Sequence, residues 1–423
     1  MASTEALPIN AFRRPTIKGF EGHDVLDVPT DMGTVREVLK MIGAITPKNW
    51  QPGQKGIIAH RGLPSMSAKG EMAPECTLLA FQWAYDLGLL CSEADSSVDA
   101  RKAIHYFHDK NLIGWTSVRG AIAETDISLL SHDQKQYVHY EIQDGQRTGE
   151  FQRTDQYIAS LHDIGKLIKR NPEQVLLDDC RDDDPPYVAA AVSHLPPQER
   201  EGHIVQILSF RIRDAKHFIQ LVEQNDPAPD WKETVMIVPS PHPHALSIIA
   251  EKHGSDMTVG NVVGPNWIWM KSFVDAGLRV VGFHTPRTGA ALDYVNDTLA
   301  HFKGREVTTH PNLAPFIQDK AEEQLQMRAK EQYPHIPIIS PSARPTWSKD
   351  GNHYLSGFHD PDVLTEMDLN KPIPHYFLQA SEPANHYTLG VDIVVSDDVY
   401  SAALCLGNQT YLTPEMKAYK ETY

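Results

Sequence analysis

The chain has 423 residues, 41% of them hydrophobic, enough apolar material for a large core. Its formal net charge of −16 argues against a general nucleic-acid binder or a protein of anionic membrane surfaces. Cys76, Cys91, Cys180 and Cys405 fit neither a zinc cluster nor a small disulfide scaffold, and read as free thiols of a reducing compartment.

The opening MASTEALPINAFRRP lacks the apolar core of a signal peptide. No apolar run approaches the ~18 residues of a membrane span. The expectation is a cytoplasmic protein with no integral membrane segment. Residues 1–50 read as an N-terminal extension, with one helix over Asp31–Ile42 carrying Val35, Val38, Leu39 and Ile42 on its apolar face.

From residue 51 onward strands and helices alternate. The patterning predicts strands over 56–60, 91–97, 103–108, 174–180, 203–209, 234–239, 278–284 and 390–397. Helices are predicted over 75–87, 155–170, 211–223 and 316–331, among others. Such alternation implies a parallel sheet with crossovers, and eight strands imply a closed α/β barrel, a single (βα)8 domain over 51–410. Two stretches depart from regularity. Residues 110–174 are far longer than the ~2–6 residues of an ordinary βα loop. Residues 286–389, rich in Pro and His, read as a large insertion before the last strand. They hold a charged helix (Asp319–Gln332) and the run Ile336-Pro-Ile-Ile-Ser-Pro-Ser-Ala-Arg-Pro345. Residues 411–423 read as a C-terminal tail. Near the middle, His242 and His244 sit in a Pro-His-Pro-His run that reads as loop.

The chemistry concentrates at strand ends. The first strand runs into His60-Arg61-Gly62. In 91–97, Cys91, Glu93 and Asp95 share a face, because side chains alternate along a strand. Two carboxylates on one face repel unless a cation sits between them, and oxygen ligands suit a divalent ion. In 103–108, His108 points with Ile104 and Tyr106, and His105 points away. In 174–180, Asp178 points with Leu176 and Cys180, which makes it the third expected ligand and turns Asp179 outward. The acidic run Asp178–Asp184 also reads as a solvated loop. His60 and His108 suit acid–base work near neutral pH, and Arg61 suits a phosphate oxygen. All lie where barrel enzymes carry their sites.

These motifs resemble the glycerophosphodiester phosphodiesterase superfamily, which also includes the sphingomyelinase D-like toxins. Its His-Arg-Gly is His60-Arg61-Gly62. Its Pro-Glu-Asn-Thr and Ala-Phe helix resemble Pro74-Glu75-Cys76-Thr77 and Ala80-Phe81. Its Glu-x-Asp and His-Asp resemble Glu93-Ala94-Asp95 and His108-Asp109. Leu112, Thr116, Gly120, Thr125 and Leu129 follow at matching spacing. Ser209-Phe210 and Gly390–Asp397 resemble its late strands, with Arg305–Asn312 a competitor for the last.

The resemblance implies a (βα)8 barrel of this type, with His60 and His108 as an acid–base pair. Glu93, Asp95 and Asp178 would bind a divalent metal, Mg²⁺ ahead of Ca²⁺. Arg61 would hold phosphate, with Glu75 supporting the site and Phe283 at the position of a family tryptophan. The partner would be a small-molecule phosphodiester or sugar phosphate, with oligomeric state left open.

Departures accompany it. The family's fourth strand reads Glu-x-Lys or Asp-x-Lys, and counting from Asp178 puts Cys180 at the lysine. Gly114 stands where the family has Arg. A rebuilt phosphate pocket points toward a sugar-phosphodiester synthase of agrocinopine-synthase type. A plain glycerophosphodiester or lysophospholipid phosphodiesterase is the alternative, and an inactive barrel binding a sugar phosphate is a third reading.

Overall fold

The computed structural model describes residues 39–63, 65–66, 72–143, 146–180, 184–208, 212–241, 259–285, 313–341, 391–396 and 399. Eight parallel strands form a ring. They are β1 (Gly56–Ala59), β2 (Cys91–Val98), β3 (Val175–Cys180), β4 (His203–Leu208) and β5 (Met236–Ser240), then β6 in two halves (Arg279–Val280 and Phe283–His284), β7 (Ile338–Pro341) and β8 (Ile393–Ser396). Pairing runs β6-β5-β4-β3-β2-β1-β8-β7. The ring closes through β6, whose first half pairs with β5 and whose second half pairs with β7.

Helices α1 (Leu78–Leu87), α2 (Leu161–Arg170), α3 (Pro185–Ser193), α4 (Ala215–Glu223), α5 (Val259–Asp275) and α6 (Leu313–Gln332) lie between successive strands. Their ends are written locally. The Thr77 hydroxyl accepts from the Ala80 N–H at 3.3 Å to start α1, and Gly88, at φ 98°, ends it. Ser160 and Asp163 form a capping box on α2. Ile164, Leu167 and Ile168 then share one buried face of α2, each worth about 1.5–3 kcal/mol of burial.

Side chains alternate between the lumen and the helical layer. Ile58, Cys91, Val175, Leu177, Ile204, Met236, Val238, Ile339 and Ile393 fill the lumen, with Trp50 joining them from the N-terminal side. Leu39 and Ile42 pack with Trp83 of α1 and Ile57, so the end of the predicted extension is part of the barrel wall.

Two predicted elements change place. Residues 103–108 are not a barrel strand: Ile104–Tyr106 folds back antiparallel on the end of β2, with Ser96 opposite Tyr106. Asp99 makes the reversal, its Oδ1 accepting from the N–H groups of Arg101 and Ala103, each at 2.8 Å. The five residues Asp99–Ala103 are too few for a parallel crossover, which needs about a dozen. In compensation, the 286–389 segment supplies a full unit of the ring. Its charged helix is α6 and its Ile-rich run is β7, where Pro337 gives its carbonyl to the Phe283 N–H at 3.0 Å. Residues 136–157 add an unpredicted hairpin between β2 and α2, pairing Gln136–Gln143 with Gln146–Tyr157. The helix predicted over 155–170 therefore begins only at Leu161.

Candidate active site

The turn after β1 is built to bring backbone and charge close together. Arg61 and Gly62 both take left-handed conformations, at φ 55° and 82°. A Cβ on Gly62 would lie 2.8 Å from the Ala80 carbonyl carbon, so α1 seats directly on the turn and only glycine fits. The Leu63 N–H donates to Ala80 O at 2.9 Å, and the Cys76 N–H donates to Arg61 O at 3.1 Å. Thus His60-Arg61-Gly62 and Glu75-Cys76-Thr77 are stitched into one corner.

Two clusters of potential ligands meet there. Glu93, Asp95 and Asp179 have carboxylate oxygens within 4.8 Å of one another, as do ligand atoms of Glu75, His108 and Asp109. Arg61 joins them. Its Nη1 lies 2.8 Å from Glu75 Oε2, its Nε lies 2.8 Å from Asp95 Oδ2, and its backbone N–H donates to Glu93 Oε2 at 3.0 Å. The His60 Nε2 stands 3.6 Å from Glu93 Oε2. On the other side His108 Nδ1 is 2.7 Å from Asp109 Oδ1 and 3.9 Å from Glu75 Oε1. The His108 segment is pinned to β2 by the Phe107 N–H on Asp95 O at 2.9 Å and the Ser97 hydroxyl on Phe107 O at 3.1 Å.

The electrostatics are those of an incompletely neutralised acidic site. Burial, then repulsion from Asp95 and Asp179, raises the Glu93 carboxyl well above its ordinary range. Burial opposes the charge on Arg61, but Asp95 and Glu75 outweigh it and hold the guanidinium protonated. Burial, followed by Asp95 and Glu75, pushes the Cys76 thiol up, and its Sγ lies 3.9 Å from Asp95 Oδ2. The all-oxygen set Glu93, Asp95 and Asp179 is compatible with a divalent cation, which would relieve the repulsion that raises Glu93.

No protein-family model matches the chain, and no curated protein matches it. The solved structures it is similar to include glycerophosphodiester phosphodiesterases. One from Parabacteroides distasonis shares 12% identity over 88% of this chain and 91% of that one, with a TM-score of 0.47. A second, from Agrobacterium tumefaciens, shares 14% over 84% and 100%, at 0.41. A phosphodiesterase of Oleispira antarctica, solved with the product sn-glycerol-3-phosphate, shares 13% over 84% and 98%, at 0.33.

The geometry moves three of the expected residues. Asp178 does not join Glu93 and Asp95; it faces the helical layer, where its Oδ2 lies 2.9 Å from His203 Nδ1 with both side chains fully buried. The β2–β3 register sets Asp179 opposite Asp95, so Asp179 takes the third place. Cys180 then points outward into the core under α3 to α5. Counted from Asp179, the Asp-x-cation pattern ends on Arg181, outside the described residues. Phe283 also faces outward, 5.8 Å from the Tyr333 ring, because β6 slips phase. Val281 and Gly282 both border the lumen, so Phe283 turns away and His284 turns in. Arg61, expected on phosphate, is fully buried between two carboxylates.

Sequence reasoning missed Asp109 as a potential ligand, although it sits beside His108 in the same motif. It also missed Tyr137, a buried hairpin residue whose phenol is pushed up by burial, then by Cys76, Glu75 and Asp109. Ser209-Phe210, His242, His244, Arg305–Asn312 and Asp397 lie outside the described residues.

Proposed function

We propose that the protein is a metal-dependent phosphodiesterase of glycerophosphodiester phosphodiesterase type. The observation that carries this reading is one barrel mouth holding the Glu93–Asp95–Asp179 triad with His60 against it and His108 beyond Arg61. Glu93, Asp95 and Asp179 would hold the metal, Mg²⁺ ahead of Ca²⁺. When bound, it neutralises charge on the phosphoryl oxygens.

The protein's own groups divide the rest. A carboxylate only accepts, so Asp109 fixes the His108 proton on Nδ1 and leaves Nε2 with a lone pair. His108 is therefore the base that takes the proton of the attacking water, and His60, held by Glu93, gives a proton to the departing alcohol oxygen. Arg61 keeps the metal carboxylates and Glu75 in place. Arg181 is the phosphate-binding cation in this reading. The case for a sugar-phosphodiester synthase rested on a rebuilt phosphate pocket, with Cys180 at the lysine position and Gly114 at the arginine position. Reading the lysine position as Arg181 removes the first of these departures, and hydrolysis is the reading carried forward. Among the described residues no helix is long and apolar enough to cross a membrane.

The test is phosphorus NMR of a glycerophosphodiester incubated with the protein and Mg²⁺, then with chelator. A phosphomonoester signal should appear and be abolished by chelation. His60→Ala and His108→Ala should each slow it roughly 10²–10⁴-fold. Turnover untouched by both substitutions would falsify the reading.

A further inference from the structure

The second cluster, Glu75, His108 and Asp109, holds potential ligands that the triad does not use, and their ligand atoms lie within 4.8 Å of one another. The Arg61 guanidinium stands between the two clusters, 2.8 Å from Glu75 on one side and 2.8 Å from Asp95 on the other. Glu75 is buried, while the Asp109 side chain is 15% exposed and opens the cluster to solvent. Tyr137 of the hairpin is an independent pointer to a ligand here. Its ring is wedged between Phe107 and Trp115, at centroid distances of 5.8 and 6.2 Å. It is 1% exposed, and among the described residues its hydroxyl has no hydrogen-bond partner. Burial, then Cys76, Glu75 and Asp109, push the phenol up, which sets the hydroxyl beside this cluster. A buried hydroxyl without a partner costs free energy, so it marks a place where a further group belongs.

Charge and donor type say what that group is. The two clusters together set five carboxylates against the one Arg61 guanidinium. With a divalent ion on the triad and all five ionised, an excess of two negative charges remains, enough for a second divalent ion. The donor sets differ. The triad is all oxygen, which suits a hard ion such as Mg²⁺. The second cluster adds an imidazole nitrogen to two carboxylates, a mixture that suits the borderline ion Zn²⁺ better than Mg²⁺.

We infer that Glu75, His108 and Asp109 form a second, inhibitory cation site for Zn²⁺, with the Tyr137 hydroxyl as a neutral oxygen at its edge. The inhibition rests on the proposed function, whereas the binding does not. His108 turns its Nδ1 toward both carboxylates, at 2.7 Å from Asp109 and 3.9 Å from Glu75. Without zinc, Asp109 keeps the ring proton on Nδ1 and leaves the Nε2 lone pair to act as base. Zinc needs the lone pair of Nδ1, so the single ring proton moves to Nε2. The ring stays neutral and no proton is lost, but Nε2 can no longer accept one from water. Zinc thus switches the base off while the triad keeps its own ion.

The first measurement is calorimetric titration of Zn²⁺ into the protein saturated with Mg²⁺. One Zn²⁺ per chain should bind. Asp109→Asn should weaken that binding about 100-fold, and Tyr137→Phe about tenfold. Asp179→Asn, titrated without Mg²⁺, should keep the zinc site, because it damages only the triad. No zinc binding to the Mg²⁺-saturated native protein overturns the site, and so does zinc binding lost in Asp179→Asn but kept in Asp109→Asn. Nitrogen NMR of His108 gives a readout that needs no variant. Zinc should shift Nδ1 and place the ring proton on Nε2, and a ring that stays in the Nδ1–H form overturns the inference. In turnover of a glycerophosphodiester at saturating Mg²⁺, zinc should inhibit, and Tyr137→Phe should raise the half-inhibiting concentration about tenfold. Inhibition fully reversed by excess Mg²⁺ would place zinc in the triad and overturn the second site. If no diester is turned over, the proposed function fails, and calorimetry and NMR still decide the zinc site.

Discussion

The two halves of the barrel mouth are built on opposite principles. Toward β1 and β2, charges are packed and tied: Arg61 is fully buried between Glu75 and Asp95, and Glu93 takes the Arg61 N–H. Toward β4 to β6 the groups are neutral: Gln206 is largely buried, and the Ser240 Oγ and His284 Nδ1 stand 2.9 Å apart. The charged half is therefore organised before any substrate arrives, as electrostatic stabilisation of a phosphoryl group requires.

The most severe way to break the charged half is Arg61→Ala. It strands Glu75 and Asp95, and we expect a loss of about 3–5 kcal/mol in denaturant unfolding. The matching probe of the neutral half is acid. His284 titrates at about 4 when folded against an ordinary 6.5. Its lowered folded value means that stability is intact above about 6.5 and drains away as pH falls toward about 4. That amounts to roughly 3 kcal/mol, and His284→Gln should erase it.

A smaller effect sharpens the boundary between the halves. Asp179→Asn should weaken metal binding, read by calorimetry, by about 100-fold or more, since even outer-shell changes cost roughly 10–100-fold. Asp178→Asn should leave metal affinity near native and act on stability through His203. Equal metal losses in both would return Asp178 to the site. The smallest effect is Cys76→Asn. Cys76 sits at φ 56°, a conformation asparagine tolerates better, and a gain of about 0.5–1 kcal/mol in unfolding free energy is expected.

How much of this was legible depended on whether a strand has a wet side. Glu93 and Asp95 were given one face by alternation because polar residues mark the phase of their strand, whereas His60 was read from the His-Arg-Gly motif at the end of an apolar one. Asp178 was mis-phased because Val175-Leu176-Leu177 is apolar at every position. Parallel strands are buried on both faces, so hydrophobicity gives them no phase, and only the pairing with β2 sets it. Phe283 failed for a different reason: β6 changes partner at Val281–Gly282, and two successive residues border the lumen. The eightfold count was right with one wrong member. The short Asp99–Ala103 link could have ruled out 103–108 as a parallel strand. The prolines flanking Ile338–Ile339 hid β7 in what read as an insertion.

The first and last strands of the ring meet between β1 and β8. Gly56 pairs with Ile393, and the Lys55 ammonium donates to the Val391 carbonyl across 336 positions of sequence. Asp392 ties β8 to its other neighbours, accepting from the Ile338 N–H of β7 at 3.0 Å and meeting Lys330 of α6 at 3.2 Å. During synthesis β1 emerges early and waits for nearly the whole chain before one of its edges is covered. Gly56-Ile-Ile-Ala59, wholly buried in the finished barrel, is over that interval an open apolar edge. Pairing this distant is slow to form, so a ribosome that stops short of Val391 releases a sticky fragment rather than a smaller barrel.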